Sequence, residues 1–206
     1  MKVVKKNISQ LTLDNLKGNV RKKIAGIVVP PNSIFQPQRN SLIASEITIE
    51  LFDATWGYIN IRYASLDLIA ENGGLHIYVE KNLNLSEEYH QKQPLPTYGL
   101  NIEYNEFVIS KIEIYGLHDF IDKDERIISD ISNKINKKDL ALEIDNHSLI
   151  IFTSTNGDDI VIKAETGLLL IGFDKNFKNE FLNREYNIHY SNSNYKLLLK
   201  QRYKID

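Results

Sequence analysis

Cysteine is missing from the 206-residue chain. Its absence excludes disulfide bonds, cysteine-ligated zinc, iron–sulfur clusters and a thiol nucleophile. It is also typical of a reducing compartment, although many exported proteins lack cysteine as well. We therefore expect no disulfide, no structural metal and no cofactor.

Long apolar runs are missing too. The apolar stretches, such as Leu168–Ile171, are far shorter than the roughly 20 residues that a membrane-spanning helix requires. The first residues are basic, but residues 8–19 contain several polar and charged side chains and so lack the apolar core of a signal peptide. The sequence therefore predicts a soluble cytoplasmic protein with no membrane partner.

Neither sign of charge is in excess, because 25 Lys and Arg residues stand against 27 Asp and Glu residues. A duplex nucleic-acid binder usually has a strong positive excess, so the net charge of -2 argues against that class of partner. With 42% hydrophobic and 25% charged residues, the composition is that of an ordinary folded protein. The length favours a single domain over residues 1–206.

Catalytic sequence motifs are also missing. No histidine is followed by glutamate, so there is no zinc-protease motif, and there is no Gly-x-Ser-x-Gly elbow. A Gly-Lys pair, a Gly-x-Gly fingerprint and an acidic-x-Lys nuclease triplet are absent as well. These absences leave open an enzyme whose site is assembled from distant strands, but they give no positive argument for one.

What the sequence does contain is alternation of apolar and polar residues, the pattern of half-buried strands. Leu42–Phe52 and Trp56–Ala64 alternate in this way. Leu66–Glu71 is a third run, and the Asn72–Gly74 turn leads to a fourth over residues 75–79. The runs predict an antiparallel meander. Its buried face is expected to consist of Ile43, Ile47, Ile49, Ile59, Ile61, Ile77 and Val79.

The second half of the chain continues in the same style. Helical spacing predicts helices over Glu125–Lys138 and from Lys175 to about Tyr186, the second with Asp174 as its N-cap. Prolines predict loops near residues 30–41 and 90–98. Strands are predicted over residues 100–104, 107–115, 140–144, 149–153, 160–163, 168–173 and 195–205. The fold class that follows is mainly β, an antiparallel sandwich or strongly curved sheet with one or two short helices.

Some small clusters have both a functional and a structural interpretation, and we favour the structural one for each. The acids of His118–Glu125 suit a hard cation, but acids also favour a helix start. Asp145–His147 suits general-base catalysis, but Asp and Asn also dominate tight turns. His189 and Tyr190, beside Tyr186 and Tyr195, suit general-acid or interface roles, but they also fit core and hairpin packing. The basic side chains that alternate along the last strand could bind phosphate, but they also fit a charged edge strand that prevents aggregation.

The candidate site is the face of the meander that carries the polar residues alternating with the buried ones. Trp, Tyr and Arg are the residues most enriched at binding hot spots, so a partner would account for their presence there. Alternatively, a second layer of the protein itself covers this face. The candidate binding residues are Glu46, Glu50, Trp56, Tyr58, Arg62, His76, Tyr78 and Glu80.

Strand and turn patterning recurs over residues 112–173, in Ile112–Gly116, Leu142–Asp145, Leu149–Phe152 and Asn156–Ile162. This patterning resembles that of small, mostly uncharacterised bacterial all-β proteins, some of which accompany toxin genes as immunity proteins. The resemblance covers about a third of the chain and assigns no functional residue. It implies a protein that acts by binding another protein.

The candidate functions therefore come from different classes. The preferred one is a non-enzymatic cytoplasmic protein-binding module with a protein partner, most concretely an immunity protein that covers the active site of a toxin. The second is a hydrolase in which Glu46, Glu50 and Glu80 act with His76 in acid–base catalysis. A third is a sugar-binding module that uses Trp56 and Tyr58.

Overall fold

The computed structural model describes residues 2–52, 56–64, 74–81, 93–94, 106–128, 139–165, 167–190 and 193–206. The helices in these ranges are α1 (Gln10–Lys17) and α2 (Lys175–Leu182), and a 3-10 turn covers Pro37–Arg39. No helix of the described ranges has the length and apolar character needed to cross a membrane. The strands, in chain order, are β1 (Lys2–Lys6), β2 (Lys23–Val29), β3 (Ile34–Gln36), β4 (Ser41–Ala44), β5 (Glu46–Phe52), β6 (Trp56–Ala64), β7 (Gly74–Lys81), β8 (Gln93–Pro94), β9 (Ile109–Gly116), β10 (His118–Asp122), β11 (Ile127–Ile128), β12 (Leu140–Asn146), β13 (Leu149–Ser154), β14 (Asp159–Glu165), β15 (Leu168–Gly172), β16 (Glu185–Tyr190), β17 (Ser193–Leu198) and β18 (Lys200–Ile205).

The strands form four sheets. A five-stranded sheet has the order β7-β6-β5-β2-β8, and a seven-stranded sheet has the order β18-β9-β13-β14-β15-β4-β3. A four-stranded sheet has the order β1-β12-β10-β11, with β1 parallel to β12, and β16 pairs with β17 as a hairpin. The other pairings among the described strands are antiparallel, so the mainly β antiparallel fold predicted from the alternation is confirmed.

Two apolar cores hold the layers together. The larger core lies between the five-stranded and seven-stranded sheets, where Ile59 and Ile61 of β6 belong to the same buried cluster as Ile150 of β13 and Ile162 of β14. The smaller core lies on the outer face of the seven-stranded sheet, which is covered by α2 and the β16–β17 hairpin. The arrangement is therefore a β-sandwich with a second layer on one side.

The buried face of the meander largely follows the alternation in the sequence. Ile47, Ile49, Ile59, Ile61 and Ile77 are buried as predicted, and Val79 is half-buried against the same core. The prediction for Ile43 is wrong, because its neighbours Leu42 and Ala44 are buried instead. The chain leaves one sheet for the other at Ser45, between β4 and β5, and the inward parity changes there.

The helix predictions have different outcomes. Asp174 caps α2 as predicted, since its carboxylate accepts a hydrogen bond from the Phe177 amide at 2.8 Å, although α2 ends at Leu182. A helix beginning at Glu125 is wrong, because Glu125 has a positive φ of 61° and Ile127–Ile128 forms β11. The rest of that predicted helix, residues 129–138, lies outside the described residues.

Both proline stretches contain structure that the loop prediction missed. The first includes β3 and the 3-10 turn, and Pro94 of the second lies in β8, the edge strand beside β2. An edge position tolerates proline because one side of the strand needs no amide donor. The predicted runs Leu66–Glu71 and 100–104 lie outside the described residues, and β6 pairs directly with β7.

Candidate functional site

In the antiparallel register of β5, β6 and β7, the polar residues of the meander lie opposite one another in cross-strand rows. The rows, written from β5 to β7, are Glu46, Arg62 and His76; Thr48, Asn60 and Tyr78; and Glu50, Tyr58 and Glu80, while Phe52 lies opposite Trp56. We name these residues the polar face. The side chains of Trp56, Tyr78 and Glu80 lie outside the described part of the chain, so these residues are placed by backbone register alone.

The first row of the polar face carries an ion pair at the surface. Arg62 Nε lies 2.5 Å from Glu46 Oε2, and the Arg62 side chain is 46% exposed. His76, next in the row, is exposed as well. The pair holds a guanidinium in place without removing it from solvent, so it can meet an acceptor on another molecule.

A cavity of about 230 Å³ adjoins this row where β7 meets the start of α1. Ser9 forms part of its wall and also caps α1, because the Ser9 hydroxyl accepts a hydrogen bond from the Thr12 amide at 3.1 Å. The residues that line the cavity are Asn7, Ile8, Ser9, Thr12, Leu75, His76 and Ile77. Sequence reasoning missed this cavity, because no local pattern predicts which strand edge a helix from a distant part of the chain will contact.

Thr48 and Asn60 of the middle row bond to each other within the sheet. Thr48 has no solvent exposure, and its hydroxyl donates a hydrogen bond to the Asn60 side-chain oxygen. This cross-strand bond satisfies a buried hydroxyl that would otherwise destabilise the sheet. Thr48 therefore joins β5 to β6 and is not a contact residue for a ligand.

The third row places a carboxyl group in an unusual environment. Glu50 lies across Gly26 of β2, where an added Cβ would come within 2.5 Å of Glu50 Oε2. Glycine at that position thus makes room for the side chain. Burial raises the pKa of the Glu50 carboxyl. Burial and the charge of Glu50 also raise the pKa of Tyr58, which is only 5% exposed.

The polar face therefore offers different chemistry along its length. Its first row is charged and exposed, and Phe52 at the far end is 48% exposed, while Tyr58 is buried and is not an open contact residue in the free protein. Glu46 is held beside a guanidinium, whereas Glu50 has a raised pKa. Such an arrangement can bind a polar surface, and two carboxyls in unlike environments also occur in enzymes that use acid–base catalysis.

Asp145–His147 does not form the predicted tight turn. Strands β9 and β10 pair with β13 and β12 as one long ribbon, which passes from the seven-stranded to the four-stranded sheet at Leu117 and His147. Gly116 permits the bend, because a Cβ there would lie 1.6 Å from the Asn146 carbonyl oxygen. Both Asp145 and His147 are buried at this bend.

Asp145 ties the N-terminal and C-terminal strands to the bend. It accepts hydrogen bonds from Asn7 at 2.7 Å and from Arg202 at 3.1 Å, and the Lys5 ammonium lies 3.0 Å away. Burial alone would raise the pKa of the Asp145 carboxyl, but the bonds from Lys5 and Asn7 and the charge of Arg202 outweigh burial and lower it. Sequence spacing gave no indication that these distant residues meet.

The His147 imidazole is a structural group of the same bend. It is 1% exposed, its Nδ1 accepts a hydrogen bond from the Ile8 amide at 3.0 Å, and its ring meets Tyr203 edge-on at 5.2 Å. Burial, together with the charge of Arg202, lowers the pKa of His147 to about 4. A neutral imidazole that accepts through Nδ1 carries its proton on Nε2. Its basic nitrogen is therefore already committed to the backbone.

The aspartates of His118–Glu125 are paired with basic side chains. Asp119 accepts a hydrogen bond from Lys200 at 2.6 Å, and Asp122 accepts bonds from the Arg126 amide at 2.8 Å and its Nε at 2.9 Å. Within the part of the chain that the structure describes, no three His, Cys, Asp or Glu residues are grouped to hold a metal.

The last two sequence clusters are structural as well. The predicted C-terminal strand divides at Leu199 into β17 and β18, and β18 is an edge of the seven-stranded sheet. Its Lys200 and Arg202 form ion pairs with acidic residues of the four-stranded sheet. The basic side chains of β18 therefore join two sheets and also place positive charge at a sheet edge. Tyr186 and Tyr195 are buried in hairpin packing as predicted, while the side chains of His189 and Tyr190 lie outside the described part.

Comparison of the chain with protein-family models, with curated proteins and with solved structures finds no match. The geometry of the polar face and the adjoining cavity is therefore the basis for assigning a function.

Proposed function

We propose that the protein is a non-enzymatic cytoplasmic protein-binding module whose partner sits on the polar face, most concretely an immunity protein that covers the active site of a toxin. The observation that carries the proposal is the exposed row of Arg62 and His76 beside the cavity between β7 and α1. Protein interfaces concentrate their binding energy where an anchoring side chain fills a pocket, and charges around it fix the orientation.

The opposite side of the same sheet makes the polar face a rigid platform. Ile47, Ile59 and Ile61 alternate with the polar residues and have no solvent exposure. Close packing on one side fixes the backbone on the other, so little conformational entropy is lost when a partner binds. Rigid presentation of a charged row supports a binding role.

Site-specific photo-crosslinking in the source cell tests whether a partner occupies this face. Benzoylphenylalanine is placed at position 62 or position 76, and at position 196 as a control, since Lys196 is exposed on the β16–β17 hairpin. We expect one protein to be crosslinked from positions 62 and 76 and not from position 196. Equal crosslinking from the control position, or none from the polar face, would contradict the proposal.

Binding of the purified crosslinked protein then tests the residue roles. Arg62→Glu should weaken binding at least about 30-fold, which corresponds to the roughly 2 kcal/mol of a hot-spot residue. Arg39→Glu is the matched control, because Arg39 is similarly exposed but lies beside α2. For an immunity protein, the wild-type chain should also inhibit the partner's toxic activity, and Arg62→Glu should lose that inhibition. An Arg62→Glu variant that binds and inhibits like the wild type would refute the assignment.

The raised pKa of the half-buried Glu50 carboxyl favours a second candidate function, a hydrolase in which Glu50 acts as general acid and Glu46, Glu80 and His76 are the other acid–base candidates. Turnover of chromogenic ester, glycoside or phosphodiester substrates should then be lost in Glu50→Gln and retained in Arg39→Glu. Turnover that survives in Glu50→Gln would rule out this role.

A further inference from the structure

The cavity between β7 and α1 is an opening at the edge of the larger core. Ile8, which precedes α1, and Leu75 and Ile77 of β7 are buried members of that core and also line the cavity. Among the described strands β7 ends the five-stranded sheet, so α1 packs beside a sheet edge. The inner walls of the cavity are therefore apolar.

The two sides of the cavity are held to one residue. The Ile8 amide donates a hydrogen bond to His147 Nδ1 at 3.0 Å, and the Leu75 amide donates one to the His147 carbonyl oxygen at 2.8 Å. These bonds fix the start of α1 relative to β7. A cavity that is already formed favours binding, because little further order has to be imposed on it.

The rim of the cavity carries two hydroxyl groups, which we name the hydroxyl pair. Ser9 Oγ and Thr12 Oγ1 lie 2.9 Å apart, and Ser9 Oγ also accepts a hydrogen bond from the Thr12 amide. Two hydroxyl groups have two protons, and the bond between them uses one of these whichever group donates it. One proton therefore remains for a bond outside the pair, and oxygen lone pairs remain to accept a bond in return.

Size and polarity together select the side chain that fits the cavity. Its volume of about 230 Å³ exceeds the roughly 150 Å³ of an apolar cavity that binds benzene, so an aromatic ring can enter. A phenylalanine would leave the hydroxyl pair without a partner, and an indole donates but does not accept. A carboxylate would lose its hydration against apolar walls. The phenol of tyrosine combines an apolar ring with a hydroxyl that both donates and accepts.

We propose that a tyrosine side chain of the partner fills this cavity, with its ring against Leu75 and Ile77 and its hydroxyl on the hydroxyl pair. His76 also lines the cavity and lies opposite Arg62 in the first row of the polar face. A tyrosine seated here therefore brings the rest of the partner over that charged row. The inference rests on the proposed function, because it names the group with which the partner enters the polar face.

The tyrosine side-chain analogue p-cresol tests the cavity without the partner. In a titration of the full chain followed by amide NMR, it should shift the resonances of residues 7–12 and 75–77 and leave those of α2 unchanged. It should bind about fivefold more tightly than toluene, which is the value of one hydrogen bond. A purely apolar cavity would reverse this order, because the hydroxyl of p-cresol would lose its hydrogen bonds to water there.

Variants of α1 locate the bound ring. Thr12→Phe puts a ring at the cavity wall and should weaken binding of p-cresol at least about tenfold, since no room is left for a second ring. Leu11→Phe is the matched control, because Leu11 is 72% exposed and does not line the cavity, and it should leave binding unchanged. Binding of p-cresol that is no tighter than that of toluene, or equally tight in Thr12→Phe, would overturn the proposal. If Thr12→Phe fails to fold by circular dichroism, the comparison of p-cresol with toluene on the wild type decides alone.

The crosslinked partner provides the second test. Replacement of its tyrosines by alanine, one at a time, should weaken binding at least about 30-fold at one position, the effect of a hot-spot residue. The same replacement should have little effect on binding to Thr12→Phe, in which the cavity is filled. A partner that crosslinks from positions 62 and 76 but loses no affinity at any tyrosine would overturn this inference and leave the proposed function standing. Absence of crosslinking would overturn both.

Discussion

Mild acid should destabilise the fold through His147, before the carboxyl groups with lowered pKa values begin to titrate. The imidazole is 1% exposed, and burial lowers its pKa to about 4, against about 6.5 for a histidine in an unfolded chain. Above pH 6.5 neither state binds the proton, so stability is complete. As the pH falls from 6.5 toward 4, the unfolded chain binds a proton that the folded protein excludes, and the free energy of unfolding decreases.

The size of the decrease follows from the two pKa values. A difference of this size corresponds to about 3 kcal/mol in full, of which about 2 kcal/mol should be lost between pH 7.5 and pH 5. Asp145 and Glu113 have lowered pKa values, so their contributions are lost mainly below that interval, as the pH falls through the ordinary carboxyl range. The pKa of His118 is lowered too, mainly by burial, and its contribution has the same sign.

Urea unfolding followed by circular dichroism between pH 7.5 and pH 5 measures this loss. His147→Asn is the informative variant, because the asparagine oxygen can take the place of Nδ1 as acceptor for the Ile8 amide but does not titrate. The variant should be less stable at pH 7.5, since it loses the ring contact with Tyr203, and its stability should depend less on pH. His118→Asn is the control that should keep most of the dependence. A wild type with constant stability over this range, or a His147→Asn variant with an unchanged slope, would refute the reasoning.

Further predictions concern packing and composition. Ile61→Ala should lower the free energy of unfolding by about 2–5 kcal/mol in urea titrations, because Ile61 has no exposure and its truncation leaves a cavity; a smaller loss would mean that the sheet is loosely packed there. Gly116→Ala should prevent cooperative folding, since the new Cβ would lie 1.6 Å from the Asn146 oxygen, and a normal melting curve would contradict the ribbon bend. Chelator treatment should leave the melting temperature unchanged, whereas a drop of several degrees would indicate a metal site.

The parts of the fold that the sequence predicted are those decided by local patterns. The alternation in Trp56–Ala64 gave the bounds of β6 and its buried face, and Asp174 marked the start of α2. Local patterns failed where tertiary structure decides. Helical spacing after Glu125 did not reveal the positive φ at that residue, and the change of sheet at Ser45 reversed the parity of Ile43.

The candidate site shows the same division. Period-two alternation was enough to place Glu46, Arg62 and His76 on one face of the sheet. Their alignment in one row depends on the direct pairing of β6 with β7, which the prediction of Leu66–Glu71 as the third run did not anticipate. The cavity beside His76 depends on α1, which comes from a distant part of the chain, and the meeting of Asp145 with Arg202 depends on how the sheets are connected. The spacing of residues within one segment cannot predict such long-range contacts.

The accessibility of Trp56 tests directly the central claim, that the two ends of the polar face are open to a partner although Thr48 and Tyr58 between them are buried. Trp56 is the single tryptophan of the chain and lies opposite Phe52 in the register, so its fluorescence reports on this position alone. We expect emission near that of free indole and ready quenching by iodide in the isolated protein. Blue-shifted emission that iodide cannot quench would place Trp56 inside the protein and contradict the claim.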